Sequence, residues 1–405
     1  MEKEKLIIKN FGPIKFIDLD LGRFNVLIGE QATGKSTVAK VLAMCRYFTY
    51  IVKNDSSEYL FDEGLSSWGI SDAVHNDTYI SYDCKHYSFV LERLIDKERI
   101  FDHEDSSISE YEYAFFSSTL TPKTSEFKGL VDEFYKFKPE ENPTLSFGGS
   151  PGWIVPTSFY TNQVAKVMDN PFYLPTERGL QSIFSLGKNS IQNVSDSLFN
   201  QFAKFDRIAK QFSRDTDIEP LDIIYKNEGG VGYIKKKSEG RFFGLYNAAS
   251  GYQSTIPVVL TAKYYNEVRK KSKTFIIEEP ELNIFPTAQY KLMLFLVDRT
   301  VNYGNSMLVT THSPYVLTSL NNMTQAYQTG NRDSVKTENV IEKRYWINPK
   351  DVSAYLLLPS GYCEDIFDQE EGLIKASKID EISRILNGQF DDLLNIEFAG
   401  DESNT

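Results

Sequence analysis

Apolar positions in the first 30 residues fall into short runs separated by polar turns, and this spacing predicts strands. Lys5–Lys9 (KLIIK) is a short apolar run, and Lys15–Leu21 (KFIDLDL) alternates, with Phe16, Ile17, Leu19 and Leu21 as its apolar members. Phe24–Ile28 (FNVLI) is a buried-type run that ends at a glycine. From Ser36 to about Tyr50 the period becomes helical, with Val38, Val41, Leu42 and Cys45 on one face. Residues 51–170 are less regular, mixing short aromatic strands (YISYD, YSFVLERL) with Ser, Asp and Gly. Thr124–Lys138 predicts a helix, with Phe127, Leu130, Val131 and Phe134 at helical spacing and Thr124 as its cap. Gly148–Gly152 (GGSPG) reads as a loop.

Further along, Phe172–Leu174 predicts a short strand before Pro175. Val194–Phe212 is amphipathic, with Leu198, Phe199, Phe202, Phe205, Ile208 and Phe212 forming a core-facing stripe. Ile223–Tyr225 and Val231–Ile234 flank Asn227-Glu228-Gly229-Gly230 and predict a hairpin. Ile256–Val268 and Thr287–Arg299 read as helices, Thr274–Ile277 and Ser306–Thr310 as buried strands, and Asp380–Phe398 as a largely helical, acidic tail. The fold class is therefore α/β. No repeat and no long heptad run occurs, so a coiled-coil arm is not predicted.

Composition narrows the function classes. The chain has 405 residues, 41% apolar and 14% aromatic, enough for a core and against disorder over most of its length. It carries 44 basic and 56 acidic side chains, a net charge of −12, which argues against coating nucleic acid by bulk charge. No run of about 18 apolar residues predicts a membrane span, and MEKEKLIIKNFG has neither the apolar region nor the cleavage site of a signal peptide. Three scattered cysteines (Cys45, Cys84, Cys363) suit a reducing cytoplasm without a disulfide framework.

The sharpest chemical signal is Gly29-Glu30-Gln31-Ala32-Thr33-Gly34-Lys35-Ser36-Thr37, a complete G-x-x-x-x-G-K-[ST] between a predicted strand and a predicted helix. Glycines let successive N–H groups face one anion, and the helix N-terminus adds partial positive charge. Lys35 is placed for the β- and γ-phosphates of a nucleotide, and the Ser36 hydroxyl for Mg²⁺. A second signal is Phe275-Ile276-Ile277-Glu278-Glu279, an apolar strand ending in two carboxylates. A parallel strand beside the phosphate loop would carry Glu278 to the Mg²⁺ shell. Side-chain alternation would turn Glu279 the other way, to act as general base toward a water in line with the γ-phosphate.

The segment Glu278-Glu279-Pro280-Glu281-Leu282-Asn283-Ile284-Phe285-Pro286 resembles the Walker B and D-loop of ABC-type ATPases of the SMC, RecF and OLD group, with Glu278 where that group usually has Asp. Ala249-Ser250-Gly251-Tyr252-Gln253 resembles their signature turn, and Leu308–Pro314 (LVTTHSP) their switch segment. Tyr173–Arg178 falls at the Q-loop position without its glutamine, and Ile8–Ile14 resembles the first strand of the group. The closest likeness is to AAA15/AAA21-type ATP-binding proteins, many of which belong to bacterial anti-phage systems (retron, Septu-like, PARIS-like).

The resemblance implies a two-lobed ATPase head over residues 1–405. An irregular insertion would lie at 51–165, a helical signature lobe at 178–266, and a decorating C-terminal region at 315–405. It implies ATP as nucleotide and a homodimer or higher oligomer in which Ser250, Gly251 and Gln253 of one subunit meet the nucleotide held by the other. His312 would contact the γ-phosphate and help position the water that Glu279 activates. Arg178 is expected at a phosphate, at the opposite subunit or in a surface ion pair, and Lys9 and Asn10 near the base. The implied role is a switch controlling a separate effector protein, such as a nuclease. The alternative is a RecF-like DNA repair ATPase that touches nucleic acid through Lys235-Lys236-Lys237 with Arg241, or Lys263 with Arg269, Lys270, Lys271 and Lys273. No Toprim-like or H-N-H set follows His312, so no nuclease is predicted within the chain. His75, Cys84, His86 and His103 lack the paired spacing of a zinc site.

Overall fold

In the computed structural model, which describes residues 4–47, 65, 68–96, 113–134, 136, 164, 171–184, 196–238, 240–375, 385 and 387–394, the N-terminal strands form where the periodicity predicts them. They are β1 (Glu4–Phe11), β2 (Ile14–Leu21) and β3 (Phe24–Gly29). β1 and β2 pair antiparallel and bury Leu6, Ile8, Ile17, Leu19 and Leu21 on one face. Phe16 stands 39% exposed, because neighbouring strand residues face opposite sides. α1 (Lys35–Cys45) follows and buries its expected face of Val38, Val41, Leu42 and Cys45.

The stretch read as an insertion supplies β4 (Val74–Asp83) and β5 (Tyr87–Asp96), which contain the predicted aromatic strands YISYD and YSFVLERL, and β6 (Tyr113–Pro122), which is not predicted. These extend the first sheet in the order β2-β1-β4-β5-β6, every pair antiparallel. The reason is cross-strand burial: Ile80, Tyr82, Phe89 and Leu91 continue the apolar face begun by Leu6 and Ile8. α2 (Ser125–Phe134) buries Phe127, Leu130, Val131 and Phe134, and Thr124 Oγ1 accepts from the Phe127 N–H as its cap. The predicted loop at Gly148–Gly152 and most of the acidic tail lie outside the described residues.

β7 (Phe172–Leu174) precedes α3 (Asp196–Ala209). Phe202, Phe205 and Ile208, with Phe212 just beyond, are buried as expected. Phe199, three residues before Phe202 and at the edge of that stripe, is 47% exposed. β8 (Thr216–Ile218), β9 (Ile223–Glu228), β10 (Val231–Lys236) and β11 (Phe243–Gly244) form a second antiparallel sheet. Its β9–β10 hairpin turns through Gly229 and Gly230 at φ 60° and 89°, which glycine adopts without a Cβ penalty. α4 (Ser250–Lys263), β12 (Thr274–Glu278), α5 (Pro286–Val301) and β13 (Ser306–Thr311) complete the predicted elements, and α6 (Pro314–Gly330) is an additional helix.

Two strands of the third sheet are new. β14 (Val352–Leu357) lies parallel to β3, and β15 (Cys363–Asp365) pairs with it antiparallel. The C-terminal region is thus part of the central sheet, not a decoration of it. The order is β15-β14-β3-β13-β12-β7, with the five strands from β14 to β7 all parallel. Such strands are covered on both faces. Leu27, Ile276, Leu308 and Tyr355 join the core shared with the first sheet, while Val26, Ile277, Val309 and Ala354 join the core under the helices. β13 separates β3 from β12, so the acidic strand is not the immediate neighbour of the phosphate-loop strand. The carboxyl ends of β3, β13 and β12 nonetheless share one edge, where α/β sheets hold ligands. No helix among the described residues is long and apolar enough to cross a membrane.

Candidate functional site

The loop after β3 is built for close backbone approach. A Cβ on Gly29 would stand 2.4 Å from the Leu357 carbonyl oxygen, so β14 makes glycine necessary there. Ala32 and Gly34 have φ of 62° and 97°, turning the chain into α1. Thr33 Oγ1 donates to the Glu30 carbonyl at 2.9 Å and pins the turn. Glu30, Gln31 and Ser36 are exposed and Thr37 is half-buried. The Lys35 ammonium lies over the loop, donating to the carbonyls of Gly29 at 2.9 Å and Glu30 at 2.7 Å. Burial lowers its pKa, opposed by the carboxylates of Glu279, Glu278 and Glu281.

Glu278 ends β12 and is buried. Its Oε2 accepts from Ser36 Oγ at 3.1 Å, and its Oε1 accepts from the Tyr173 hydroxyl at 2.6 Å. Burial raises its pKa, although Tyr173, Lys40 and Ser36 favour the charged form. Tyr173 was not singled out from the sequence. Its position opposite Ile276 in the β7–β12 register is what brings it to Glu278. A hydroxyl and a carboxylate oxygen meeting at the mouth of the phosphate loop are hard oxygen donors that fit Mg²⁺.

Glu279 is turned by a different device from the one expected. β12 has already ended, and Glu279 sits at φ 42°, in the left-handed region that non-glycine residues seldom enter. Its N–H donates to the Thr310 carbonyl at 2.9 Å, and its Oε1 stands 3.2 Å from His312 Nε2. Glu281 reinforces this corner: its Oε1 accepts from the Thr311 hydroxyl at 2.5 Å and from the His312 N–H at 3.0 Å. Burial raises the pKa of Glu281 as well.

Arg178 departs from the expectation of a phosphate contact or surface ion pair. It is fully buried, and its guanidinium donates to four carbonyls: Ser254 and Pro175 at 2.8 Å each, and Glu278 and Glu279 at 2.5 Å each. Burial lowers its pKa to about 10, with Glu281, Glu278 and Glu279 opposing, so it stays charged at neutral pH. Nothing local in the sequence signals this, because all but one of its acceptors lie far along the chain.

At the signature-like turn, Ser250 opens α4 and is exposed, while Ala249, not a serine, occupies the N-cap position. Gln253 Nε2 turns back to the carbonyls of Tyr246 and Ala248, at 3.2 and 2.9 Å, and braces the preceding turn. Gly251 packs against the 280–285 loop, where a Cβ would lie 2.5 Å from the Asn283 carbonyl. Lys9 sits over the rings of Tyr79 and Phe16, and Asn10 donates to Asp77. Next to them, Pro13 and Ile14 press on Gly34. The basic clusters are partly neutralised: Lys235 pairs with Asp215, Lys237 with Asp217 and Lys263 with Glu219. His75 and His86 are engaged by Gly12 and Thr124, and His103 lies outside the described residues.

Residues 157–317 match the family model for the AAA ATPase domain, AAA_15. The matched segment holds the Ser250 turn, Glu278, Glu279 and His312, and leaves out the phosphate loop. Over that segment the chain is similar to AAA ATPase domains. Among solved structures, the SMC head domain from Thermotoga maritima matches at 14% identity and a TM-score of 0.37, covering 79% of this chain and 92% of that one. An SMC head bound to the C-terminal winged-helix domain of ScpA matches at 13% identity and a TM-score of 0.35, covering 78% and 91%. An SMC head with an extended coiled coil, bound to the C-terminal domain of ScpA derived from Pyrococcus furiosus, matches at 9% identity and a TM-score of 0.36, covering 78% and 91%. No curated protein sequence matches.

Proposed function

We propose that this chain is an ATP-binding and ATP-hydrolysing switch that dimerises around nucleotide and controls a separate effector in bacterial anti-phage defence. The observation that carries the ATPase reading is the convergence on one sheet edge of a phosphate loop, the Ser36–Glu278 contact at 3.1 Å and the Glu279–His312 contact at 3.2 Å. The loop N–H groups and Lys35 bind the phosphates, Lys35 exchanging its carbonyl partners for phosphate oxygens. Ser36 and Glu278 would hold Mg²⁺, which when bound would screen phosphate charge and polarise the γ-phosphoryl oxygens. Glu279 takes a proton from the attacking water, and His312 fixes the carboxylate that takes it.

The exposed Ser250 at the start of α4 supports the dimer reading: a helix N-terminus there suits the γ-phosphate of a nucleotide held by a second subunit. Loss of that phosphate would release the two halves, which makes hydrolysis a timer for partner control. The anti-phage role rests on the likeness of the motif set to AAA15/AAA21-type proteins. The alternative of direct DNA action draws less support, because Lys235, Lys237 and Lys263 are already paired with acids of the same sheet and its neighbouring turn.

The test is light scattering on size-exclusion fractions of a Glu279→Gln variant with and without ATP and Mg²⁺. A nucleotide-dependent shift from monomer to dimer is expected, and a mass that ignores ATP overturns the dimer switch. For the biological role, phage plating on cells carrying the native operon should lose protection when Lys35→Ala is introduced. Undiminished protection overturns the defence reading.

A further inference from the structure

Arg178 heads the fully buried side chains of the described residues by volume, and each of its four hydrogen bonds ends on a backbone carbonyl. The acceptors belong to three segments. Pro175 is in its own turn, Ser254 is in the second turn of α4, and Glu278 ends β12 with Glu279 just beyond it. A planar guanidinium can serve three directions at once from Nε and its two Nη atoms, which a lysine ammonium on its flexible stem cannot. The same junction is stitched a second time. Ser254 Oγ donates to the Leu282 carbonyl at 2.8 Å, and Gly251 lies so close to Asn283 that no side chain fits between them. The first two turns of α4, the 280–285 loop and the ends of Glu278 and Glu279 are therefore one connected body.

Resting on the ATPase reading above, the structure assigns Arg178 the role of a positioning residue that couples Ser250, at the exposed start of α4, to the carboxylate of Glu279. A phosphate seated against Ser250 pushes on α4; Arg178 carries that displacement to the Glu278 and Glu279 peptide units. The hydrolytic carboxylate of one site then stands correctly only when the start of α4 is engaged, so turnover senses a second nucleotide. This is a role in geometry, not in bond making, since Arg178 is fully buried and each of its four bonds ends on a backbone carbonyl.

The test compares wild type, Arg178→Lys and Ser254→Ala for melting temperature, affinity for a non-hydrolysable ATP analogue, and ATP hydrolysis across a range of ATP concentrations. Arg178→Lys should fold and bind the analogue within about threefold of wild type, with kcat lower by on the order of 10- to 100-fold and no sigmoid dependence on ATP. Ser254→Ala, which keeps the carbonyl bonded to Arg178 but loses the link to Leu282, should show a smaller loss of the same kind. An unchanged kcat in Arg178→Lys, or a fall matched by an equal loss of analogue affinity, overturns the coupling. Should Arg178→Lys not fold, Ser254→Ala decides, and wild-type kcat with an unaltered sigmoid overturns it. A wild-type chain that binds the analogue but hydrolyses no ATP overturns the ATPase reading and the coupling together, whereas an active wild type with indifferent variants overturns the coupling alone.

Discussion

Ser36 and Glu278 are 242 residues apart in the chain, yet Oγ of one donates to Oε2 of the other at 3.1 Å. The contact closes past the end of β13, which stands between β12 and the strand that leads into α1. It places a buried carboxylate where burial opposes its charge, held by one short-range hydroxyl on each oxygen. Such a group is kept for its chemistry and costs the fold stability.

Glu278→Gln should therefore stabilise the metal-free protein while removing Mg²⁺-dependent hydrolysis. The amide keeps an acceptor for Tyr173 and gains a donor for Ser36, so the gain is roughly 1 kcal/mol or more at neutral pH. The folded pKa of Glu278 lies above the usual value of 4.5 because of burial. Its penalty is absent below that value and grows as pH rises through the folded pKa. Thermal melts at pH 5 and pH 8 check this: the variant's advantage should be larger at pH 8.

Lys35→Ala should weaken nucleotide binding by at least about tenfold, and by ~100-fold where two charge-assisted bonds are lost. Titration calorimetry with ATP and Mg²⁺ measures it, and retained affinity removes the phosphate-loop assignment. The fold should survive, because only two bonds within the protein are lost, those to the carbonyls of Gly29 and Glu30.

Much of this site was legible because its determinants are local. The glycine spacing of 29–37, the apolar run ending at Glu278 and the strand before His312 each announce themselves within ten residues or so. What was not legible depends on distant partners. Val352–Leu357 is as apolar as β3 but has no motif, and its place beside β3 is set by pairing with Phe24–Gly29. Tyr173 becomes a site residue only through strand register, and Arg178 only through carbonyls supplied by α4 and β12. Glu279 faces His312 through a left-handed turn that sequence alternation does not encode.

The Glu4–Arg46–Tyr82 cluster behaves in the opposite sense to Glu278. Arg46 and the Tyr82 hydroxyl both bond Glu4 Oε2, where α1 meets β1 and β4. Burial alone would raise the Glu4 pKa, but Arg46 and Tyr82 outweigh it and hold it below 4.5. A depressed carboxylate stabilises the fold above its unfolded pKa and loses that contribution as pH falls through the folded value. Glu4→Gln should cost about 1–3 kcal/mol at pH 7, with the gap to wild type closing below roughly pH 4.5. Denaturant melts at both pH values measure it, and a gap that persists in acid contradicts the assignment.

The last prediction concerns the pair at 3.2 Å, Glu279 and His312. If Glu279 is the base, Glu279→Gln should slow hydrolysis by on the order of 10²- to 10⁴-fold while leaving ATP bound, because the amide keeps the shape and loses the proton acceptor. His312→Ala removes only the group that orients Glu279, so it should fall less in kcat and little in affinity. In the double variant the losses should not add, since both act through one carboxylate. Single-turnover hydrolysis in the four forms gives the cycle. Additive losses would mean that His312 works on the phosphate independently of Glu279, and an undiminished rate in Glu279→Gln would move the general base to another residue.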